Sequence, residues 1–83
     1  MNTSASITPE RQAKLEKLVG INLRRLRNER GLSQQQVGEK LGISFQQIQK
    51  FENGTNRISA GRLFVLAQFL NAPLIEFFQD ARF

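Results

Sequence analysis

Residues 32–54, LSQQQVGEKLGISFQQIQKFENG, carry two helix-start signals in close succession. Ser33 followed three residues later by Gln36 is the S-x-x-Q pattern of a capping box. In that motif the hydroxyl accepts from the first-turn backbone and the amide reaches back. Leu32 before the cap and Val37 after it have the spacing of a hydrophobic staple. The same grammar recurs eleven residues on, with Ser44 and Gln47 as the box and Ile43 and Ile48 as the staple. Two helix starts this close require a short helix, a turn and a second short helix. Gly42 stands in the turn, where a positive φ costs glycine little. Asn53-Gly54 ends the second helix.

Upstream, residues 1–7 are small and polar and are expected to be disordered. Thr8-Pro9-Glu10 is a helix start, with a capping hydroxyl, a first-turn proline and an acid at the positive end. Leu15, Val19, Leu23 and Leu26 then share one helical face, and Gly31 closes the helix. Gly20 interrupts this pattern at a cost of roughly 1 kcal/mol against alanine. It either divides a loose leading segment from the packed helix or permits a close backbone contact. Downstream, Ser59 caps a fourth helix with Leu63, Leu66, Ala67 and Leu70 inward, and Pro73 opens a short fifth helix to about Phe78. The expected fold is all-α: a five-helix bundle built around a helix-turn-helix. Residues 1–13 form an arm, disordered in part or beginning the first helix. Residues 14–83 form the domain and end in a segment suited to association.

With 83 residues the chain fits one small domain. A formal charge of +5 points to a polyanionic partner. The chain has no cysteine, hence no disulfide or thiolate metal site. It has no histidine either, which removes the commonest general base and metal ligand. Nucleophile–histidine catalysis is excluded, and the acids are scattered singly, so no catalytic constellation can be named. The expectation is a non-enzyme without cofactor or metal. No apolar run approaches the ~20 residues of a membrane span, and MNTSASITPERQ has no signal-peptide core. A cytoplasmic, nucleoid-associated protein that does not engage membranes is expected.

On a wheel of 100° per residue, Ile48 and Phe51 fall on one side of the second short helix. Gln46, Gln49, Lys50 and Asn53 fall on the other. Any solvated helix face is polar, and glutamine favours helices, so the stripe alone also fits a plain solvent face. The absence of Glu and Asp between 43 and 51, in a chain with seven acids, favours a surface for nucleic acid. Glutamine can bond adenine bidentately, and lysine can bond guanine acceptors. Phe45, at the edge of the stripe, suits either a thymine methyl or packing beside Ile48. Gln34 and Gln35 open the first short helix, where free backbone N–H groups favour phosphate. Asn53, Thr55, Asn56 and Arg57 follow the second, and Arg62 begins the fourth. Each also reads as a cap or a solubilising residue; as a set bracketing one helix they read as phosphate clamps.

Arg24, Arg25, Arg27 and Arg30 crowd the first helix, and such a run is usually a solvated face. Arg27 is the exception. Glu52 lies toward the core side of the wheel, where an unpaired carboxylate is costly, so a salt bridge between Arg27 and Glu52 is expected. Leu74, Ile75, Phe77, Phe78 and Phe83 cluster in the last ten residues; some must fill the core, but all five cannot easily do so, unless Phe83 tucks back onto the fourth helix. They suggest a two-fold dimer interface.

The tract VGINLRRLRNERGLSQQQVGEKLGISFQQIQKFENGTNRIS resembles the Cro and lambda-repressor type (Xre-like) helix-turn-helix family. The resemblance covers about residues 17–78. It rests on Leu26-Arg27, Gly31-Leu32-Ser33-Gln34, Val37, Leu41-Gly42, Ile48 and Phe51-Glu52-Asn53-Gly54 in combination. The portion SFQQIQKFENGTNRIS looks like a bacterial subfamily. The resemblance implies that residues 45–53 lie in the major groove of DNA. Phe45, Gln46, Gln47, Gln49 and Lys50 then occupy base-reading or adjacent positions. It also implies a phosphate grip by Gln34 and the same Arg27–Glu52 pair. The chain departs from the pattern at Phe45, where relatives often carry glutamine, so no base preference carries over there. The expected function is a dimeric regulator of transcription, a repressor binding a palindromic double-stranded DNA operator. The alternative is an antitoxin or adaptor whose main partner is another protein.

Overall fold

The computed structural model describes residues 8–81. Phe83 and the leading residues 1–7 of the expected arm lie outside the described residues. Helix α1 spans Pro9–Glu29. Thr8 caps it, its hydroxyl accepting from the Arg11 backbone N–H at 3.1 Å, with Pro9 in the first turn. The helix runs unbroken through residue 13. It also runs through Gly20, and the reason for that glycine is steric. A Cβ there would stand 2.1 Å from the Phe51 carbonyl oxygen. Gly20 therefore lets the end of the third helix lie against α1 and does not divide a loose segment from a packed one.

Helix α2 spans Gln34–Leu41 and α3 spans Phe45–Glu52. Both arms of the first capping box are made: Ser33 Oγ accepts from the Gln36 N–H at 3.0 Å, and Gln36 Oε1 accepts from the Ser33 N–H at 2.8 Å. The second box is half built. Ser44 Oγ accepts from the Gln47 N–H at 3.2 Å, but no return bond from the Gln47 side chain occurs among the described residues. Gly42 takes a left-handed φ of 74° and turns the chain between the helices. The two staple residues Leu32 and Ile43 pack against the core.

Helix α4 spans Ala60–Phe69 behind a Ser59 cap. The fifth helix expected from Pro73 is not an α-helix: Leu74–Phe78 form a 3-10 helix. The fold is thus four α-helices and one 3-10 segment, without strands among the described residues. Five residues are too few to offset the cost of nucleating an α-helix, and the carbonyls here are engaged sideways. Asn22 Nδ2 donates to the carbonyls of Phe77 (3.0 Å) and Gln79 (3.1 Å). Arg25 Nη2 donates to that of Glu76 at 3.1 Å.

The core joins Val19, Leu23 and Leu26 of α1 to Val37, Ile48, Phe51, Leu63, Leu66, Leu70 and Phe77. Every described element contributes, so burying the inner faces of α2 and α3 is inseparable from packing them on α1 and α4. Phe77 is fully buried in its own chain, and Phe78 is half-buried against the core. Of the residues assigned to a dimer interface, Phe77 is therefore a core residue. Leu74 and Ile75 are the exposed ones, at 48% and 73%. Among the described residues no helix is long and apolar enough to cross a membrane.

Candidate nucleic-acid interface

The outer face of α3 is set by what its inner face buries. Ile48 and Phe51 are buried, which turns Gln46, Gln49 and Lys50 outward, all exposed. Phe45 is 46% exposed and is not among the buried core residues. Gln47 is half-buried at the edge of the stripe. The start of α3 is held tightly by α2. A Cβ on Gly38 would meet the Ile43 carbonyl oxygen at 2.7 Å and the Phe45 nitrogen at 3.3 Å. The Ile43 N–H donates to the Gly38 carbonyl at 2.9 Å. A glycine inside an eight-residue helix, where it weakens the helix, is the local sequence sign of this approach.

Arg27 and Glu52 meet in a two-pronged pair beneath this face. Arg27 Nε donates to Glu52 Oε2 at 2.6 Å and Arg27 Nη2 to Glu52 Oε1 at 2.9 Å. Both residues are buried. Arg27 Nη1 also donates to the Leu32 carbonyl at 2.8 Å. A third helix joins through Gln34, whose Nε2 donates to Glu52 Oε1 at 3.0 Å. No buried side-chain polar atom lacks a hydrogen-bond partner among the described residues, which is the condition for a buried ion pair to be tolerated.

The residues assigned to phosphate fall into two groups. Gln34 and Gln35 open α2, and Asn53, Thr55 and Asn56 follow α3. Asn53 Oδ1 accepts from the Thr55 N–H at 2.9 Å, and the Asn56 N–H donates to the Lys50 carbonyl at 3.2 Å. These bonds shape the loop and leave the side-chain amide N–H groups of Asn53 outside them. Arg57 is exposed and approaches Glu16 of α1 at 3.6 Å, a contact of little energetic weight at such exposure. Arg62 sits elsewhere. It lines a shallow cavity with Leu41, Gly61 and Val65, at the end of α2 opposite Gln34, about 10 Å along the helix.

The arginines of α1 are not one solvated face. Arg24 is exposed. Arg25 Nε donates to Asn22 Oδ1 at 3.2 Å, and Arg25 forms ion pairs with Glu29 (3.2 Å) and Glu76 (3.5 Å). Arg30 donates through Nε to the Leu70 carbonyl and through Nη2 to that of Asn71 at 3.4 Å. Arg25 and Arg30, with buried Asn22, fasten the C-terminal part of the chain to α1. Sequence spacing alone does not reveal this set. A polar Asn22 between Gly20 and Leu23, on the apolar side, was its only local sign.

Two capped helices joined at a left-handed glycine, with a polar outer face on the second, are matched by a helix-turn-helix family model over residues 23–77. The chain belongs to the Cro and lambda-repressor type helix-turn-helix family. This is a family of DNA-binding transcriptional regulators, and the matched relatives are bacterial. The helix-turn-helix chain is 54% identical over 63 residues to an uncharacterized HTH-type transcriptional regulator of Sinorhizobium medicae, covering 76% of this chain and 45% of the relative. It has the same identity and coverage against one from Rhizobium meliloti. It is 47% identical over 62 residues to an uncharacterized transcriptional regulator in the ATPase CF(0) region of Rhodospirillum rubrum, covering 75% of this chain and 57% of the relative. The chain thus spans about half the length of these curated relatives. No solved structure matches it.

Proposed function

We propose that the helix-turn-helix chain is a dimeric, sequence-specific repressor that reads the major groove with α3. The observation that carries this reading is the outer face of α3. Gln46, Gln49 and Lys50 are exposed together, over a fully buried Ile48, with no carboxylate among them. Amide and ammonium groups match the acceptor and donor edges of purines. The start of α3, pinned by Gly38, is the end that reaches base edges in this docking geometry. Gln34, Gln35, Asn53, Thr55, Asn56 and Arg57 flank the helix as backbone contacts, with Arg62 farther out.

Dimerisation supplies what one short helix lacks. Two copies related by a two-fold axis would present their α3 helices about 34 Å apart, one turn of DNA, on a palindromic site. Leu74 and Ile75 are exposed. Leu74 also borders an open apolar groove with Phe64, Ala67, Ala72 and Pro73. Such a surface suits a self-complementary contact. The same groove supports the second reading, an antitoxin or adaptor whose main partner is another protein. The proposed setting is the cytoplasm, at the nucleoid.

A salt titration on duplex DNA tests the reading. Affinity must fall with log salt, with a slope near −0.9 for each phosphate neutralised. Absence of DNA affinity at any salt concentration would overturn it and leave the protein-partner reading.

A further inference from the structure

We propose that Phe45 reads the C5-methyl group of a pyrimidine, and so sets one position of the site that the protein recognises. The proposal rests on α3 lying in the major groove.

Phe45 is the first residue of α3. Folding leaves the residue 46% exposed. Ile43, two residues earlier, is partly buried against the core, whereas Phe45 is exposed. An exposed aromatic ring forgoes part of the ~1.5–3 kcal/mol that full burial would contribute. The ring stands beside Gln46, on the face that carries Gln49 and Lys50. Its backbone is firmly placed, since α2 comes so close at Gly38 that an added Cβ would lie 3.3 Å from the Phe45 nitrogen. A phenyl ring neither donates nor accepts a conventional hydrogen bond, so it cannot read the polar atoms of a base edge. The apolar feature of the major groove is the C5-methyl of thymine. A 5-methylcytosine presents the same methyl at the same carbon. The ligand is therefore a 5-methylpyrimidine, and its two sources are separable.

The test begins with a site selected from a random duplex pool by the full chain. Each thymine is then replaced singly by deoxyuridine, which removes the methyl and keeps every hydrogen bond. One position in each half-site should lose about fourfold in affinity, the value of one buried methyl. In a second arm each cytosine is compared with 5-methylcytosine. A gain on methylation assigns the contact to methylcytosine, and a loss confined to the uridine arm assigns it to thymine. Phe45→Ala should abolish the methyl effect and bind both forms alike. Phe45→Leu should retain part of it. A thermal melt of Phe45→Ala shows that its fold is intact. Wild-type protein indifferent to both changes at every position overturns the proposal while leaving the groove reading standing. So does Phe45→Ala with an unchanged methyl preference. Failure of the wild-type chain to bind any duplex overturns the groove reading and the proposal together.

Discussion

Gln34 Nε2 donates a 3.0 Å hydrogen bond to Glu52 Oε1, joining the first residue of α2 to the last of α3. The same oxygen accepts from Arg27 Nη2 at 2.9 Å. One buried carboxylate therefore gathers α1, α2 and α3. Gln34, the side chain proposed to meet phosphate, is thereby tied to the scaffold beneath the outer face of α3.

Glu52→Ala is expected to lower stability by about 3–5 kcal/mol, because it leaves the Arg27 guanidinium buried without a counter-charge. In a domain of this size that is a fall in Tm of well over 10 °C. A paired Arg27→Met/Glu52→Leu variant should melt above Glu52→Ala, since both desolvation costs disappear together. Thermal denaturation by circular dichroism measures this. A Glu52→Ala melt equal to wild type would show that the pair contributes nothing.

Contacts to backbone and to bases should separate by their dependence on sequence. Gln34→Ala should weaken binding to specific and scrambled DNA alike. Gln46→Ala or Lys50→Ala should cost about 1–3 kcal/mol on the preferred site only, compressing the ratio of specific to non-specific affinity. Competition binding at fixed salt reads both quantities. Full discrimination in either reader variant removes that side chain from the list of base contacts.

Two glycines should respond in opposite directions to alanine. At Gly20 the new methyl meets the Phe51 carbonyl oxygen at 2.1 Å, and backbone cannot easily yield. A loss of about 1–3 kcal/mol is expected from this overpacking. At Gly61 nothing lies within 4 Å of the new Cβ. There the substitution should gain about 0.5–1 kcal/mol by reducing the freedom of the unfolded chain. Urea melts of the two variants test the contrast; a stabilised Gly20→Ala would mean that α1 and α3 can separate at no cost.

Ile75→Asp should disrupt the proposed dimer without unfolding the chain, because Ile75 is 73% exposed. The buried Phe77 offers no such test, since a charge there would destroy the core. Sedimentation should show wild type as a dimer and the variant as a monomer. Operator affinity should drop by a factor of about 100 or more with the lost bivalency. A wild-type chain that sediments as a monomer at micromolar concentration counts against the dimer.

The helical framework was legible because its signals are local. Thr8, Ser33, Ser44 and Ser59 each accept from a backbone N–H three residues on, a geometry that chain connectivity nearly guarantees. The apolar spacing of α3 likewise turned Ile48 inward and Lys50 outward. Proline at position 73 signalled an element, but not its kind, because the 3-10 form depends on what the carbonyls of residues 76, 77 and 79 meet.

Where the helices begin, which face of each is apolar, and which amide and cationic groups α3 can present are all encoded locally in the chain. These follow from interactions that reach no farther than one helical turn. Helix packing, by contrast, sets that Asn22 holds the carbonyls of Phe77 and Gln79, that Arg30 reaches Leu70, that Gln34 bonds Glu52, and that Phe45 stays exposed. Those polar partners lie 18 to 57 residues apart. Their side chains meet only after packing has brought the helices together, and no local pattern encodes which of several arginines or phenylalanines arrives there.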